Sequence, residues 1–121
     1  MTNLEIEQGF DYLRSIGLTP FISHADGDIR YIPQGLDYSR WIVRYDAAKK
    51  NFCVITVVRN SPSYPFDFNT YNAFYVKNVK ELQQMTQKAL SLINDALKMQ
   101  ADMRKKARIK EIERAAERFE A

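Results

Sequence analysis

From Phe66 to its last residue the chain contains neither glycine nor proline, so nothing in that stretch interrupts a helix. Asn78, with Glu81 three residues on, supplies a helix-start signal. Val79, Leu82, Met85, Ala89, Ile93 and Ala96 then recur at the spacing of an amphipathic helix. The pattern weakens across Arg104-Lys105-Lys106-Ala107-Arg108. It resumes in a new register at Ile109, Ile112, Ala116 and Phe119. One helix over 78–121 would span about 65 Å at about 1.5 Å per residue. A compact domain of this size has a radius of gyration of about 13–14 Å. The end of the helix must therefore project or fold back.

The rest of the chain reads as a helix followed by strands. Thr2 and Glu5 form a T-x-x-E capping box, with Asn3 a competing cap. Ile6, Phe10, Leu13 and Ile16 follow at helical spacing, which predicts a helix over 4–16. Gly17 provides a left-handed stop and Pro20 prevents continuation. Segments 20–23 and 29–32 flank His24-Ala25-Asp26-Gly27-Asp28, and Asp-Gly is a hairpin signal. The run 40–45 alternates, which puts Trp41, Val43 and Tyr45 on one face and Arg40, Ile42 and Arg44 on the other. A polar turn over 46–51 leads to 52–58, apolar on both faces except at Thr56, and a short strand near 73–76 completes the set.

Helix, four or five antiparallel strands, long helix: this order predicts an α+β domain with the helices gathered on one face of the sheet. With 121 residues the chain is one domain by size, and it can bury a core without metal or disulfide. The reading assigns 1–100 to the globular part and 101–121 to a charged helical extension of the same domain.

Motifs for chemistry are sparse. The single cysteine, Cys53, lies in an apolar run and reads as an inert core thiol; it excludes an internal disulfide and a Cys/His zinc set. His24, Asp26 and Asp28 alternate as metal ligands on a strand could, but Asp26-Gly27 is turn chemistry that splays them. No glycine-rich phosphate loop and no nucleophile elbow occurs, and nothing in the spacing selects a pair of carboxylates. The expectation is a non-enzymatic chain with no metal and no cofactor. The polar N-terminus carries no secretory signal and no apolar run approaches about 20 residues, so the expected setting is the cytoplasm, without a membrane segment.

Binding features are more numerous. Arg59, Pro62 and Pro65 fit the R-x-x-P-x-x-P pattern of SH3 ligands, though within a folded domain they read as a stiffened loop. Tyr64, Phe66, Phe68 and Tyr71 cluster in that loop and could anchor a partner or fold over the core. The second face of the sheet, with Ile42 and half of 52–58 rimmed by Arg40 and Arg44, has the composition of a protein interface. The stripe Ile109, Ile112, Ala116 and Phe119 would pair with another helix. Arg104, Lys105, Lys106, Arg108 and Lys110 could track phosphates, but the net charge is only +3 and Glu111, Glu113, Glu117 and Glu120 follow at once.

The leading expectation is a protein-binding module that occupies a partner surface or self-associates into a homo-oligomer. An inhibitor, adaptor or assembly factor, including an accessory protein of a phage or mobile element, fits that profile. The alternative is nucleic-acid binding through the basic segment, with Arg30, Arg40, Arg44 and Arg59 as a further set.

Overall fold

The computed structural model describes residues 1–36, 40–55 and 73–120. The elements run α1 (Asn3–Ser15), β1 (Thr19–Ile22), β2 (Ile29–Ile32), β3 (Val43–Asp46), β4 (Asn51–Ile55), β5 (Ala73–Tyr75) and α2 (Val79–Glu120). The five strands form one antiparallel sheet in chain order, β1-β2-β3-β4-β5. The chain is therefore α+β, with an N-terminal helix, a five-stranded sheet and a long C-terminal helix.

Local chemistry accounts for the element ends. The Thr2 hydroxyl accepts from Glu5 N–H while the Glu5 carboxylate accepts from Thr2 N–H, the reciprocal capping box. At the other end Gly17 adopts φ +82°, and Gly17 N–H and Leu18 N–H return to the carbonyls of Arg14 and Leu13. That is a Schellman stop, sealed by the buried side chains of Leu13 and Leu18. The β1–β2 turn closes through Ser23 N–H to Asp28 O at 2.8 Å, with the Asp26 carboxylate accepting from Asp28 N–H. Asn78 caps α2 by accepting from Glu81 N–H at 2.8 Å.

Directly opposed residues share a sheet face. One row crosses the whole sheet as Pro20, Tyr31, Val43, Val54 and Phe74, with Ile22, Ile29, Tyr45 and Phe52 beside it. Both helices lie on this side. Phe10 of α1 stacks edge-on to Tyr45 and Phe52, with centroids 4.9 and 5.2 Å away. From α2, Leu82, Thr86, Ala89 and Ile93 are buried. The predicted placement of Val43 and Tyr45 on the helix side is what the register gives.

Trp41 and Ile42 depart from the predicted alternation. The strand begins at Val43, not at residue 40, because the chain bends at Ile42. Ile42 N–H donates to Tyr31 O on β2, whereas its carbonyl accepts from Ile55 N–H on β4. In a regular antiparallel strand both groups of one residue serve the same neighbour. The split breaks the phase, so the alternation of 43–45 does not extend back to 40–42. Trp41, expected on the helix side, is buried with the Arg44 guanidinium 5.7 Å from its ring centroid, on the Arg44 side of the sheet.

The helix–sheet approach is tight at Gly9. A methyl group there would stand 2.7 Å from Phe52 Cε2 and 3.1 Å from Leu82 Cδ2. Alanine is favoured over glycine in a helix interior by about 1 kcal/mol. Gly9→Ala is nevertheless expected to destabilise by about 1–3 kcal/mol, because the ring or the helix must move. Urea unfolding decides it, and a variant as stable as the parent would mean that α1 sits less tightly on Phe52.

Candidate functional site

Three regions merit a functional reading: the sheet face away from the helices, the segment between β4 and β5, and the distal half of α2.

The face away from the helices carries the row Phe21, Arg30, Arg44, Cys53 and Tyr75. Arg30 and Arg44 are direct cross-strand neighbours, an arrangement that costs stability unless other charges offset it. Two carboxylates flank Arg44. Asp28 Oδ2 is 3.8 Å from its Nε, and Asp46 Oδ2 is 3.8 Å from its Nη2. Arg44 also donates to the Tyr75 hydroxyl at 3.3 Å, and that hydroxyl donates to Asp46 Oδ2 at 2.8 Å. Asp28 Oδ1 accepts from Ala47 N–H, and Lys49 Nζ lies 4.1 Å from the centre of the Tyr75 ring. This network ties β2, β3 and β5 together across the sheet.

Its consequence for the predicted site is a correction. Ile42 is wholly buried, so it offers nothing to a partner. Arg44 is held on four sides, and Arg40 is partly buried. The apolar patch with an arginine rim is in fact a charge-compensated network over a buried Cys53. Asp46 and Tyr75 were not singled out from the sequence, and Asp28 was weighed only beside His24 and Asp26. Asp46 shares the face of Arg44 two residues along β3, whereas only the register of the strands brings Asp28 and Tyr75 beside it.

Burial pushes the Cys53 thiol up, and the nearby Arg44 guanidinium offsets only part of that, so the sulfur stays protonated. The Tyr75 hydroxyl is the main reason the Asp46 carboxyl lies below the usual carboxylate range. Lys49 N–H and the charges of Arg44 and Lys49 add to it, while burial works the other way. A depressed folded pKa contributes stability that is present above the unfolded value of about 3.9 and is lost as pH falls through the folded one. Asp46→Asn is therefore expected to flatten the acid limb of the stability–pH curve below about pH 4. Chemical denaturation across that range tests this, and an unchanged limb would assign the acid sensitivity to other carboxylates.

His24 and Asp26 are exposed turn residues, while Asp28 is buried against Arg44 and Ala47. Among the described residues no group of three His, Cys, Asp or Glu side chains is placed to hold a metal. Tyr64, Phe66, Phe68 and Tyr71, like Arg59, Pro62 and Pro65, lie outside the described residues.

The distal half of α2 presents the third region. Leu97 is its last half-buried residue, and every described side chain over 98–118 is exposed. The helix thus projects and does not fold back. Ile109 is 46% exposed and Ile112 63%, with Met99 and Met103 also open to solvent. At about 100° per residue, the stripe through Ile109, Ile112, Ala116 and Phe119 lies about 140° round the helix from the buried stripe Leu82–Ile93. It faces away from the side that α2 lays on the sheet. Phe119 belongs to the helix backbone, and its side chain lies outside the described set.

Arg104, Lys105, Lys106, Arg108 and Lys110 are all exposed. Their angular positions run right round the helix and form no single basic side. Arg114 closes no ion pair with Glu111 or Glu117, three residues to either side; the ion pairs among the described residues are those of Arg44. No described helix is long and apolar enough to cross a membrane. Comparison of the chain with protein-family models, with curated proteins and with solved structures gave no match.

Proposed function

We propose that the chain is a protein-binding module that docks through the projecting half of α2, with a second copy of itself or another helix-bearing protein as partner. The observation that carries this reading is the run of exposed residues after Leu97, with Ile109 and Ile112 on one stripe. In proteins most helical stability comes from packing an amphipathic face, which the exposed stripe lacks within the chain. Burying each isoleucine against a partner would contribute about 1.5–3 kcal/mol. An inhibitor, adaptor or assembly factor, including an accessory protein of a phage or mobile element, acts in this way by occupying a surface.

Nucleic-acid binding through Arg104, Lys105, Lys106, Arg108 and Lys110 is the second reading, favoured by the exposure of all five. Their spread round the helix and the glutamates that follow work against a phosphate-tracking side. Salt separates the two readings. Sedimentation of the chain alone, and fluorescence anisotropy with a labelled oligonucleotide, are run at low and high salt for the wild type and for Lys105→Glu/Lys106→Glu. Protein docking through the stripe is expected to persist at high salt and to slow only modestly in the double variant. Oligonucleotide binding that is tight at low salt, falls steeply with salt and vanishes in the double variant would replace this proposal with the second reading.

A further inference from the structure

The two helices cover one end of the sheet only loosely. Phe10 reaches Tyr31, Tyr45 and Phe52, and α2 lies over β4, while over β1 the helix α1 brings Phe10 and Arg14 to the lining of a cavity. All four residues of β1 are exposed. On the helix side this end holds a cavity of about 300 Å³ between α1 and the β1–β2 pair. Leu18, Pro20, Ile22 and Ile29 form apolar walls, and Arg14 and Tyr31 supply the polar part of the lining.

Those two polar residues share a property. Neither Arg14 nor Tyr31 makes a side-chain hydrogen bond or ion pair with any described residue. Burial pushes the Tyr31 phenol up, with the Arg14 charge opposing, so it remains an O–H donor beside a permanent cation. The last turn of α1 does not compete for these donors with free acceptors. The carbonyls of Tyr12, Leu13 and Arg14 are each occupied by the N–H groups that end the helix. Among the described residues the lining thus combines an apolar chamber with two donors and no carboxylate.

We infer that this cavity is a binding site for a small monocarboxylate with an apolar body, its carboxylate held by Arg14 and Tyr31 and its hydrocarbon part against the β1–β2 walls. Arginine is suited to a carboxylate through paired N–H donors. A volume near the lower end of small-molecule pockets, about 300–1,000 Å³, fits a medium-length chain or a single aromatic ring better than a long-chain lipid. The site is independent of the projecting helix, and either reading can fail without the other.

The test uses the full chain and three probes of equal chain length: octanoate, octanol and octyltrimethylammonium. Amide chemical shifts are followed by NMR during titration of the wild type, Arg14→Gln and Ile22→Phe, with melting temperatures recorded for each protein. Arg14 and Ile22 are exposed, so both variants should fold. The inference expects saturable octanoate binding with shifts centred on residues 18–22 and 29–31. It expects weakening by tenfold or more in Arg14→Gln, and loss in Ile22→Phe, whose ring fills the chamber. Octanol should bind more weakly than octanoate and be indifferent to Arg14→Gln. The inference is overturned by equal binding of octanol and octanoate, by preference for the cation, or by shifts on another face. Absence of saturation in the millimolar range overturns it too. So do shifts at 18–22 that change with protein concentration and no ligand, because a second copy would then fill the chamber.

Discussion

Replacing Phe52 with alanine is expected to lower the unfolding free energy by about 3–5 kcal/mol, as for other large-to-small changes in a packed core. Phe52 is fully buried. It meets Phe10 of α1 at 5.2 Å and Tyr45 of β3 at 5.2 Å, and its ring lies directly under Gly9. Removing it leaves a void bounded by two helices and a strand, which cannot all collapse at once. For a domain whose total stability is of order 5–15 kcal/mol, such a loss is a large fraction of the whole. Urea unfolding at neutral pH measures it. A cost below about 1 kcal/mol would mean that the helices are not seated on Phe52. The Gly9 and Phe52 variants should also couple, since they touch. Phe52→Leu combined with Gly9→Ala should be less destabilised than the sum of the two single changes.

Deleting residues 104–121 is expected to have the opposite profile: little effect on folding, complete loss of partner binding. Among the described residues the last half-buried side chain of α2 is Leu97, so the cut removes no described part of the core. Surface changes away from such contacts usually stay within about 0.5 kcal/mol. The melting temperature should hardly move, while any complex formed by the full chain should disappear. A truncated protein that melts far below the parent would show that the tail packs on the body in solution, and the exposed stripe would then be core.

Much of this architecture was legible in the sequence because local chemistry writes it. The Thr2–Glu5 box, Gly17, Asp26-Gly27 and Asn78 each mark an element end through groups within a few residues of one another. The change of register between Ile93 and Ile109 likewise announced that one helix could not lay both stripes on one body. What escaped was set by partners far along the chain. The bend at Ile42 depends on Tyr31 and Ile55 claiming its N–H and C=O from opposite sides. The contacts of Arg44 with Asp28 and Tyr75 depend on the strand register, which alone brings those residues beside it. Gly9, one glycine among four to a reader of sequence, is a point of tight approach between helix and sheet. The apolar chamber beside β1 exists because two helices do not span five strands, which no spacing rule reports.

The claim that the projecting helix is the docking element is tested most directly by affinity capture at high salt after nuclease treatment. Full-length bait and Ile112→Asp bait are compared in lysate of the native source, with a differently tagged copy of the chain added. A charge in the stripe cannot be buried without a large cost. At least one protein, the tagged copy or another, should be retained by the wild type and depleted tenfold or more with Ile112→Asp. Retention of the same proteins by both baits, with the variant folded, would contradict the claim and move the binding surface off α2.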